Sequence, residues 1–548
     1  MLNRSNCPAT SSQILRYIFL FLTLTTLFSA CNTPPVANEP PHDEQQTPLN
    51  NSSPSASGQA NVVDGELALE IDHLLDNGEL ASARWGVSVV SLKDKRVFYQ
   101  RNANKLFTPA SNMKLFPTAV ALELLGADYR WRTSVYAATA PDAGGTVNGD
   151  LVLYGRGAPD LTSVASNNEE SPNSLDQLAT ALYDKGVRHI RGNVIGDDSY
   201  FRGNPLGDGW QWNDVQWYYG AEASALSINN NETSINVLPP ENREPSPVIR
   251  VADPTGYVTV DNRMATSAAG ERMTLGIQRG LSDNSVRVWG TFPTGSKGFG
   301  ARLAVHRPAL WAAKFFLGAL KARGITVDGN ALTRDAHEPI AARFDPQQAR
   351  ELASVFSRPL REIIKATNKG SINLYAELIL RTLGRERAAL LPAPEASARE
   401  FGDDEVGLAI IKLWLNRSQV PTQRLALHDG SGLSRLNLIS PQAFVQLLMA
   451  LERSPNSQVF RDSLPLSGRD GTLGYRLKDY AERVSAKTGY LTYDAALSGF
   501  VTTAEGEVLA FSIICNDDTG RASSGRLIDQ IVSLLAAYPA RNPEKAPK

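Results

Sequence analysis

The sequence predicts a mixed α/β (α+β) fold, in which an antiparallel sheet is flanked by helices and interrupted by a large β-rich insertion. Two strand-like runs joined by a short turn stand near the start of the folded region, at 85–91 and 96–101. Two more stand near its end, at 496–503 and 508–516. Between about 136 and 345 the pattern changes to short β-like pieces and glycine-rich turns. Both ends of the chain are therefore expected to contribute to one sheet.

Helical patterns accompany these runs along the chain. An amphipathic helix over 66–75 precedes the first hairpin, and residues 111–125 follow it with apolar residues at helical spacing. Gly126 is a typical helix stop, and Pro117 predicts a kink or a weakened first turn. Helical segments return from Leu360 onward. The later ones are expected at 374–383, 405–415 and 526–538.

The N-terminal residues indicate export. An apolar run at 17–28 is too short to span a bilayer, and small residues follow it directly before Cys31. This pattern resembles the lipobox of bacterial lipoproteins, in which the cysteine is acylated after cleavage; a plain secretory signal with an incidental cysteine is the alternative. We expect a lipoprotein signal peptide over 1–30 and a periplasmic protein anchored to a membrane through Cys31. Asn32 favours the outer membrane if the organism is Gram-negative.

The remaining chain divides by composition. Residues 31–65 are rich in Pro, Ser, Asn, Gln and Thr and predict a disordered tether. We expect the first part of a core at 66–135, one or more β-rich inserted domains at 136–345, and the second part of the core at 346–540. The 548 residues, 42% of them hydrophobic, suffice for such an arrangement.

Charge and motif content exclude several function classes. The 55 basic and 57 acidic residues nearly balance, so no strong field favours nucleic acid as a partner. The chain has no C-x-x-C, H-E-x-x-H or G-x-S-x-G pattern, and we expect neither a metal nor a cofactor. Cys515 lies in an apolar stretch and is expected to be a buried core residue.

The first candidate catalytic pair opens the helix at 111–125. The three-residue spacing in Ser111-Asn112-Met113-Lys114 brings a hydroxyl and an amine to one face of a helix. A nucleophile within reach of a base is what acyl transfer requires. Alone, S-x-x-K also arises by chance in a chain of this length.

Two further motifs follow in chain order. Ser371-Ile372-Asn373, at a predicted helix start, offers a hydroxyl for proton relay and an amide to hold a peptide group. The same S-x-N pattern elsewhere in the chain is typical of turn or capping residues. Lys487-Thr488-Gly489 lies in a strand-like run, where the first two side chains could face a carboxylate and glycine could admit a substrate. A surface lysine in a turn is the alternative.

Together, S-x-x-K, S-x-N and K-T-G form the motif set of β-lactamases and penicillin-binding proteins. The chain resembles the low-molecular-mass class C penicillin-binding proteins, the D-alanyl-D-alanine carboxypeptidase and endopeptidase family, over about 80 to 535. Similar stretches include YGAEASALSINNN (219–231), HDGSGLSRLNLISP (428–441) and LPLSGRDGTLGYR (464–476). The resemblance implies a penicillin-recognising core with inserted domains. The 260 positions between Ser111 and Ser371 agree with such an insertion.

The resemblance implies a mechanism and a substrate. Ser111, deprotonated by neutral Lys114, would attack the penultimate D-alanine carbonyl of peptidoglycan stem peptides, and β-lactams would acylate it. Burial and the neighbouring cation Lys487 are both expected to lower the pKa of Lys114. Ser371 would relay a proton to the leaving amine and Asn373 would hold the acyl-side amide.

The remaining predicted site residues bind the substrate. Lys487, Thr488 and Gly489 would face its carboxylate, and the N–H groups of Ser111 and Tyr490 would form the oxyanion hole. Tyr490 stands where the family usually has threonine or serine, which displaces or removes a carboxylate-binding hydroxyl. Arg435 could contact the stem peptide or be a solvated turn residue.

Two other functions stay open from the sequence alone. A β-lactamase or esterase would use the same nucleophile with faster deacylation. A protein that only binds penicillin or cell wall would acylate once or not at all.

Overall fold

The structure is a computed structural model, and it describes residues 65–77, 80–163, 173–240, 246–339, 344–392, 402–519 and 523–539. The predicted signal peptide and the lipidation at Cys31 lie outside these residues, as does the predicted tether up to residue 64. Within the described part of the chain, no helix combines the length and the apolar character needed to cross a bilayer.

The folded chain begins with a helix, a hairpin and a second helix. These are α1 (Gly65–Asp76), β1 (Arg84–Ser91), β2 (Val97–Arg101) and α2 (Leu115–Leu125). The predicted helix from Ser111 is divided, because Ala110–Lys114 is a 3-10 turn and the α-helix begins only at Leu115. Pro117 lies in the first turn of α2, where its missing N–H removes no intrahelical hydrogen bond. The expected irregularity at the helix start is confirmed.

Residues between 132 and 356 form sheets of their own. The strands are β3 (Arg132–Ala137), β4 (Thr146–Val147), β5 (Leu151–Tyr154), β6 (His189–Ile190), β7 (Val194–Asp197), β8 (Glu232–Leu238), β9 (Val248–Val251), β10 (Thr259–Ser267), β11 (Thr274–Arg279), β12 (Ser285–Pro293), β13 (Phe299–Ala304), β14 (Thr326–Val327), β15 (Ala331–Arg334) and β16 (Arg350–Phe356). Helices α3 (Ser174–Asp184) and α4 (Pro308–Ala322) accompany them.

These inserted strands belong to separate sheets. One five-stranded sheet has the order β15-β7-β5-β3-β16, and three-stranded sheets have the orders β10-β12-β11, β13-β8-β9 and β14-β6-β4. Their apolar side chains pack with α3 and α4 into one hydrophobic cluster, whose buried members all lie between Val135 and Ala353. The insertion therefore has a core of its own.

The chain then returns to the first part of the fold. The remaining elements are α5 (Leu360–Gly370), α6 (Asn373–Arg387), α7 (Asp403–Arg417), α8 (Pro441–Glu452), α9 (Ser457–Ser463), β17 (Val484–Leu491), β18 (Asp494–Thr502), β19 (Val508–Asn516) and α10 (Ser524–Ala537). All the helices that the sequence predicts within the described residues are present.

One antiparallel sheet joins the two ends of the chain, with the strand order β17-β18-β19-β1-β2. Successive side chains of a strand point to opposite faces. Accordingly, Ile513 packs in the cluster that contains α1 and α10, whereas its neighbour Ile514 packs in the cluster that contains α2 and α8. The predicted fold class, a sheet built from both ends and flanked by helices, is confirmed. Strand β17 is an edge strand.

Candidate active site

Ser111 lies in the 3-10 turn that precedes α2, and polar contacts hold this turn to the central sheet. The Asn112 side chain donates to Ser498 Oγ on β18 at 2.7 Å, and Ser498 Oγ in turn donates to Ser512 Oγ on β19 at 2.8 Å. Just before the turn, the Asn516 amide bonds both backbone groups of Thr108, at 2.8 and 3.0 Å. The nucleophile candidate is therefore fixed to rigid elements on both sides.

The Lys114 amine contacts three oxygen atoms. Its Nζ lies 2.9 Å from Ser111 Oγ, 2.6 Å from Asn373 Oδ1 and 2.6 Å from the Ser431 carbonyl oxygen. The side chain is fully buried. Burial lowers the pKa of Lys114 from its ordinary value to about 7, because an ammonium group loses its hydration there. A substantial neutral fraction is therefore present at physiological pH.

The expected contribution of Lys487 to this pKa shift is corrected. The charges that act on Lys114 are the carboxylates of Asp429 and Glu377, and they oppose the effect of burial on its pKa. The repulsion between the two lysines acts on Lys487 instead. Burial and, second, the cationic Lys114 lower the pKa of Lys487 well below its ordinary value.

Ser371 and Asn373 stand at the junction of two helices. Ser371 is the residue after α5 and adopts a left-handed conformation with φ 54°, which turns the chain into α6 two residues later. Ser371 therefore directly follows the end of α5, and it also lies just before the helix start that the sequence predicts. The Asn373 amide accepts from Lys114 and donates to the Tyr219 carbonyl oxygen at 2.8 Å. One of its N–H groups stays available for a ligand.

Strand β17 carries the third motif. Lys487 is fully buried and donates from Nζ to Ser371 Oγ at 2.9 Å and to its neighbour's carbonyl oxygen, that of Thr488, at 2.7 Å. The Thr488 hydroxyl donates to Thr472 Oγ1 at 2.7 Å. The two lysines thus contact the two serines, Lys114 contacting Ser111 and Lys487 contacting Ser371.

The edge of β17 faces the nucleophile turn. Alternate residues of an edge strand direct their backbone groups away from the sheet. Val484 and Ala486 do so, since the Val484 carbonyl accepts from Ser467 N and Ala486 N donates to Pro465 O. The period of two gives Tyr490 the same outward direction. Its N–H group is therefore directed away from β18, on the open edge of the sheet.

Gly489 makes close approach possible at this edge. A Cβ atom at Gly489 would lie 2.8 Å from the Pro109 carbonyl oxygen and 3.1 Å from Ser111 N. The sequence-based reason for this glycine was room for a substrate. The structure gives a different reason, because the glycine makes room for the backbone just before the nucleophile candidate.

Tyr490 is about half exposed and its hydroxyl is occupied. Arg476 donates from Nη1 to the Tyr490 hydroxyl at 2.7 Å, and the same guanidinium binds Asp529 on α10 through two nitrogens, at 3.0 and 2.7 Å. Burial raises the pKa of this phenol. The hydroxyl is thus bound toward α10, and Tyr490 is one of the residues that line the cleft.

The loop from Asp429 to Asn437 positions a hydrogen-bond acceptor for Lys114, a role that the sequence did not predict. The buried carboxylate of Asp429 accepts from Gly432 N at 2.8 Å, from Ser434 N at 2.9 Å and from the Asn437 amide at 2.7 Å. This pattern fixes the loop that presents the Ser431 carbonyl to Lys114. The HDGSGLSR stretch is visible in the sequence, but a backbone carbonyl acting as a ligand leaves no residue-type signal.

A buried ion pair beneath this loop was also missed. Glu377 accepts from Gly430 N at 3.0 Å and Ser431 N at 2.8 Å, and Arg381 donates to its other oxygen at 3.0 Å. Burial raises the pKa of Glu377 to about 7, and Arg381 opposes that shift. The spacing of Asn373, Glu377 and Arg381 by four residues, in the mostly apolar first part of this helix, is a signal in the sequence that all three share one face.

Arg435 lies in the cleft with a defined partner. It donates to Asp494 Oδ2 at 2.7 Å and to the Thr492 carbonyl oxygen at 2.8 Å, and a third of its side chain is exposed. Arg435 is therefore partly exposed in a loop, as the alternative of a solvated turn arginine expects, and it also has two partners within the protein. Its guanidinium is fixed beside the end of β17.

Residues of the first two motifs and the residues that follow the third, Tyr490 to Thr492, line one cleft of about 540 Å³, and Lys487 adjoins it through its contact with Ser371. Ser111, Ser371 and Asn373 line this cleft, and residues of the insertion form one of its walls. The lining from the core comprises Ser111, Gly370, Ser371, Ile372, Asn373, Leu374, Gly432, Leu433, Arg435, Thr472, Tyr490, Leu491 and Thr492; that from the insertion comprises Gln211, Asp214, Tyr218, Tyr219, Asn230, Glu232 and Arg302. Among the described residues, no cluster of His, Cys, Asp and Glu is suited to hold a metal ion.

Comparisons with known proteins agree on one family. The family model described as D-Ala-D-Ala carboxypeptidase 3 (S13) matches residues 67–538. A D-alanyl-D-alanine carboxypeptidase from Actinomadura sp. (strain R39) is 35% identical over 89% of this chain and 87% of the relative. The D-alanyl-D-alanine carboxypeptidase DacB of Haemophilus influenzae is 26% identical over 78% of this chain and 84% of the relative.

A solved structure shows the same fold. Penicillin-binding protein 4 from Haemophilus influenzae aligns with a TM-score of 0.71 at 24% identity, over 84% of this chain and 97% of that chain. The fold is therefore the penicillin-binding-protein type.

Proposed function

The chain belongs to the D-Ala-D-Ala carboxypeptidase 3 (S13) family, and we propose that it hydrolyses its substrate through an acyl-enzyme formed on Ser111. It is a serine-type D-alanyl-D-alanine carboxypeptidase or endopeptidase that acts on peptidoglycan stem peptides and is acylated by β-lactams. The observation that carries the residue assignment is the position of Lys114 Nζ, 2.9 Å from Ser111 Oγ.

The hydrogen bonds around Lys114 support a neutral amine as the base. A neutral amine has two N–H groups and one lone pair. Asn373 Oδ1 and the Ser431 carbonyl are acceptors only, so they take the two N–H groups, and the lone pair is left for the Ser111 hydroxyl proton. General-base catalysis of this kind contributes about 10² to 10⁴ in rate.

Ser371 and Lys487 form the second proton-transfer pair in this proposal. In its protonated form, which the substrate's carboxylate favours, Lys487 binds Ser371 Oγ. Ser371 passes its proton to the amine that leaves with the last D-alanine and recovers one from Lys487. The positive charge of protonated Lys487 also attracts the terminal carboxylate of the substrate. The hydroxyls of Thr488 and Thr472 bind the same carboxylate. The free N–H of Asn373 holds the amide on the acyl side.

The oxyanion forms between the nucleophile turn and β17. The outward N–H of Tyr490 and the N–H of Ser111 donate to it, with Gly489 allowing the two segments to approach. The loss of one such donor typically costs about 10² to 10³ in rate. Arg435 contacts the stem peptide at the end of this strand.

Export and anchoring complete the proposal. A signal peptide over 1–30, acylation of Cys31 and a tether up to residue 65 would hold the enzyme at the membrane facing the periplasm, which is where a cell-wall peptidase meets its substrate. We further propose that an insertion interrupts the catalytic core. The predicted bounds, 66–135 and 346–540 for the core and 136–345 for the insertion, are too narrow for the inserted sheets, because β3 begins at Arg132 and its partner β16 ends at Phe356. The separate hydrophobic core of the inserted strands supports this division.

A fluorescent penicillin tests the assignment of the nucleophile. The native protein should be labelled, and Ser111→Ala should not. Labelling that persists in the variant would refute the assignment. Release of D-alanine from a pentapeptide, set against cleavage of cross-linked dimers, separates carboxypeptidase from endopeptidase activity. Rapid hydrolysis of penicillin without either peptide activity would favour the β-lactamase function.

A further inference from the structure

The cleft extends from the nucleophile onto a face of the inserted strands. Tyr218 and Arg302 line the cleft that holds Ser111, and they also line a second depression of about 520 Å³. That depression runs over β8 and β13 past Ser234 and Asn236. The two depressions therefore adjoin each other at Tyr218 and Arg302.

Arg302 is held in a fixed orientation at this junction. Its guanidinium carbon lies 3.7 Å from the centroid of the Tyr218 ring, and its Nη1 donates to Glu232 Oε1 at 3.0 Å. The Glu232 side chain is only 14% exposed, whereas that of Arg302 is 49% exposed. The planar cation is thus stacked on one face and bonded on one side, with its remaining N–H groups toward solvent. A guanidinium fixed in this way loses little conformational entropy when it binds a carboxylate.

The inserted wall adjoins the acyl side of the substrate. The Asn373 amide, assigned above to the acyl-side peptide group, donates to the backbone of Tyr219, next to Tyr218. The leaving D-alanine lies toward Lys487 and Thr488 on β17. Substrate residues before the scissile bond therefore run past Asn373 toward Tyr218 and Arg302. Among the described insertion residues that line the cleft, Arg302 is the basic one.

We propose that Arg302, stacked on Tyr218, is an outer subsite for a carboxylate-bearing residue of the stem peptide on the acyl side of the scissile bond. This inference rests on the proposed function, and it concerns substrate selection rather than the chemical step. The subsite accepts an acidic peptide, and Glu232 keeps the guanidinium in place without covering it.

Two matched substrates test the subsite. Both are synthetic peptides that end in D-Ala-D-Ala, and they differ only in a glutamate or a glutamine two residues before the penultimate D-alanine. The native enzyme should prefer the glutamate peptide by about 5- to 20-fold in kcat/KM, through KM, which is typical of one hydrogen-bonded charge pair. Arg302→Gln should reduce the preference to within about twofold, since the charge on the subsite is lost.

Arg287→Gln is the matched control variant. Arg287 lies on β12 of another inserted sheet, is 54% exposed and pairs with Asp261 at 2.9 Å, so it matches Arg302 in exposure and in having a carboxylate partner but does not line the cleft. This variant should keep the native preference. An equal rate for both peptides in the native enzyme, or a preference that survives in Arg302→Gln, would overturn the inference.

Penicillin labelling separates this inference from the proposed function. Labelling at Ser111 should be equal in the native enzyme, Arg302→Gln and Arg287→Gln, because penicillin lacks the outer residue. Unchanged labelling with no peptide preference would refute only the outer subsite. Labelling that does not depend on Ser111 would refute the proposed function itself.

Discussion

The two walls of the cleft differ in how their charged groups are held. On the core wall, Lys114 and Lys487 are buried and hydrogen-bonded, and Glu377 and Arg381 behind it are buried and pair with each other. On the inserted wall, Arg302 is 49% exposed and stacks on a tyrosine that is 42% exposed. Burial shifts the pKa of a charged group and makes the loss of its partner costly in free energy. An exposed charged group keeps a nearly ordinary pKa, and the loss of its partner costs little. The core wall is therefore suited to proton transfer and the inserted wall to recognition.

The largest expected effect is on the core wall. Lys114→Met removes the base, so acylation by penicillin should slow by about 10³-fold or more, within the range known for general bases. Stopped-flow measurement of acylation provides the test. Lys365→Met, an exposed lysine on α5, is the control and should acylate at the native rate. Near-native acylation in Lys114→Met would show that the buried lysine of the core wall is not the base, and the proposed difference between the two walls would then fail.

The two ion pairs should differ in their contribution to stability. Arg381→Met leaves Glu377 buried without its partner, and we expect a loss of about 3–5 kcal/mol in the free energy of unfolding. Arg302→Gln breaks a pair that is partly in water, and we expect a loss below about 1 kcal/mol. Urea denaturation of both variants measures this. Similar losses in the two variants would contradict the comparison.

Close packing at β17 should matter for the rate. Gly489→Ala adds a Cβ 2.8 Å from the Pro109 carbonyl oxygen, so strand and nucleophile turn must separate. We expect acylation to fall by about 10²-fold, the cost of misplacing one oxyanion donor. Gly318→Ala on α4 meets no atom within 4 Å and is the control, expected to be neutral. A native rate in Gly489→Ala would show that this contact does not position the oxyanion hole.

The smallest expected effect concerns Tyr490, near the end of β17. Tyr490→Thr replaces a phenol bound by Arg476 with a hydroxyl beside the proposed carboxylate site. One added hydrogen bond predicts a gain of about three- to tenfold in kcat/KM for a D-Ala-D-Ala peptide. Tyr475→Thr, at a tyrosine that is 91% exposed, should change nothing. An unchanged or lower value in Tyr490→Thr would mean that Tyr490 itself is adapted to the substrate.

The core wall was largely predictable from sequence, and the inserted wall was not. Ser111, Lys114, Ser371, Asn373 and Lys487 stand in short motifs whose spacing reflects one mechanism. Alternation and helical spacing likewise predicted the sheet that joins both chain ends. Local patterns identify the residues of each motif and each strand because these are neighbours both in sequence and in space.

Contacts made through backbone groups, or between strands of the insertion, were not predictable from the sequence. The Ser431 carbonyl and the Tyr219 carbonyl act through the backbone, which every residue type shares. Arg302 faces the cleft only because β13 pairs with β8, and nothing in its own neighbourhood indicates that pairing. The close approach at Gly489 likewise involves Pro109, which lies 380 positions earlier in the chain.

The pH dependence of acylation tests the central claim, that neutral Lys114 takes the proton of Ser111. Protonation of a buried amine removes its lone pair, and burial brings the pKa of Lys114 to about 7. With a penicillin that does not titrate between about pH 5 and 9, acylation should rise with pH through a midpoint near 7. A rate that is constant across this range, or that falls as pH rises through 7, would contradict the account.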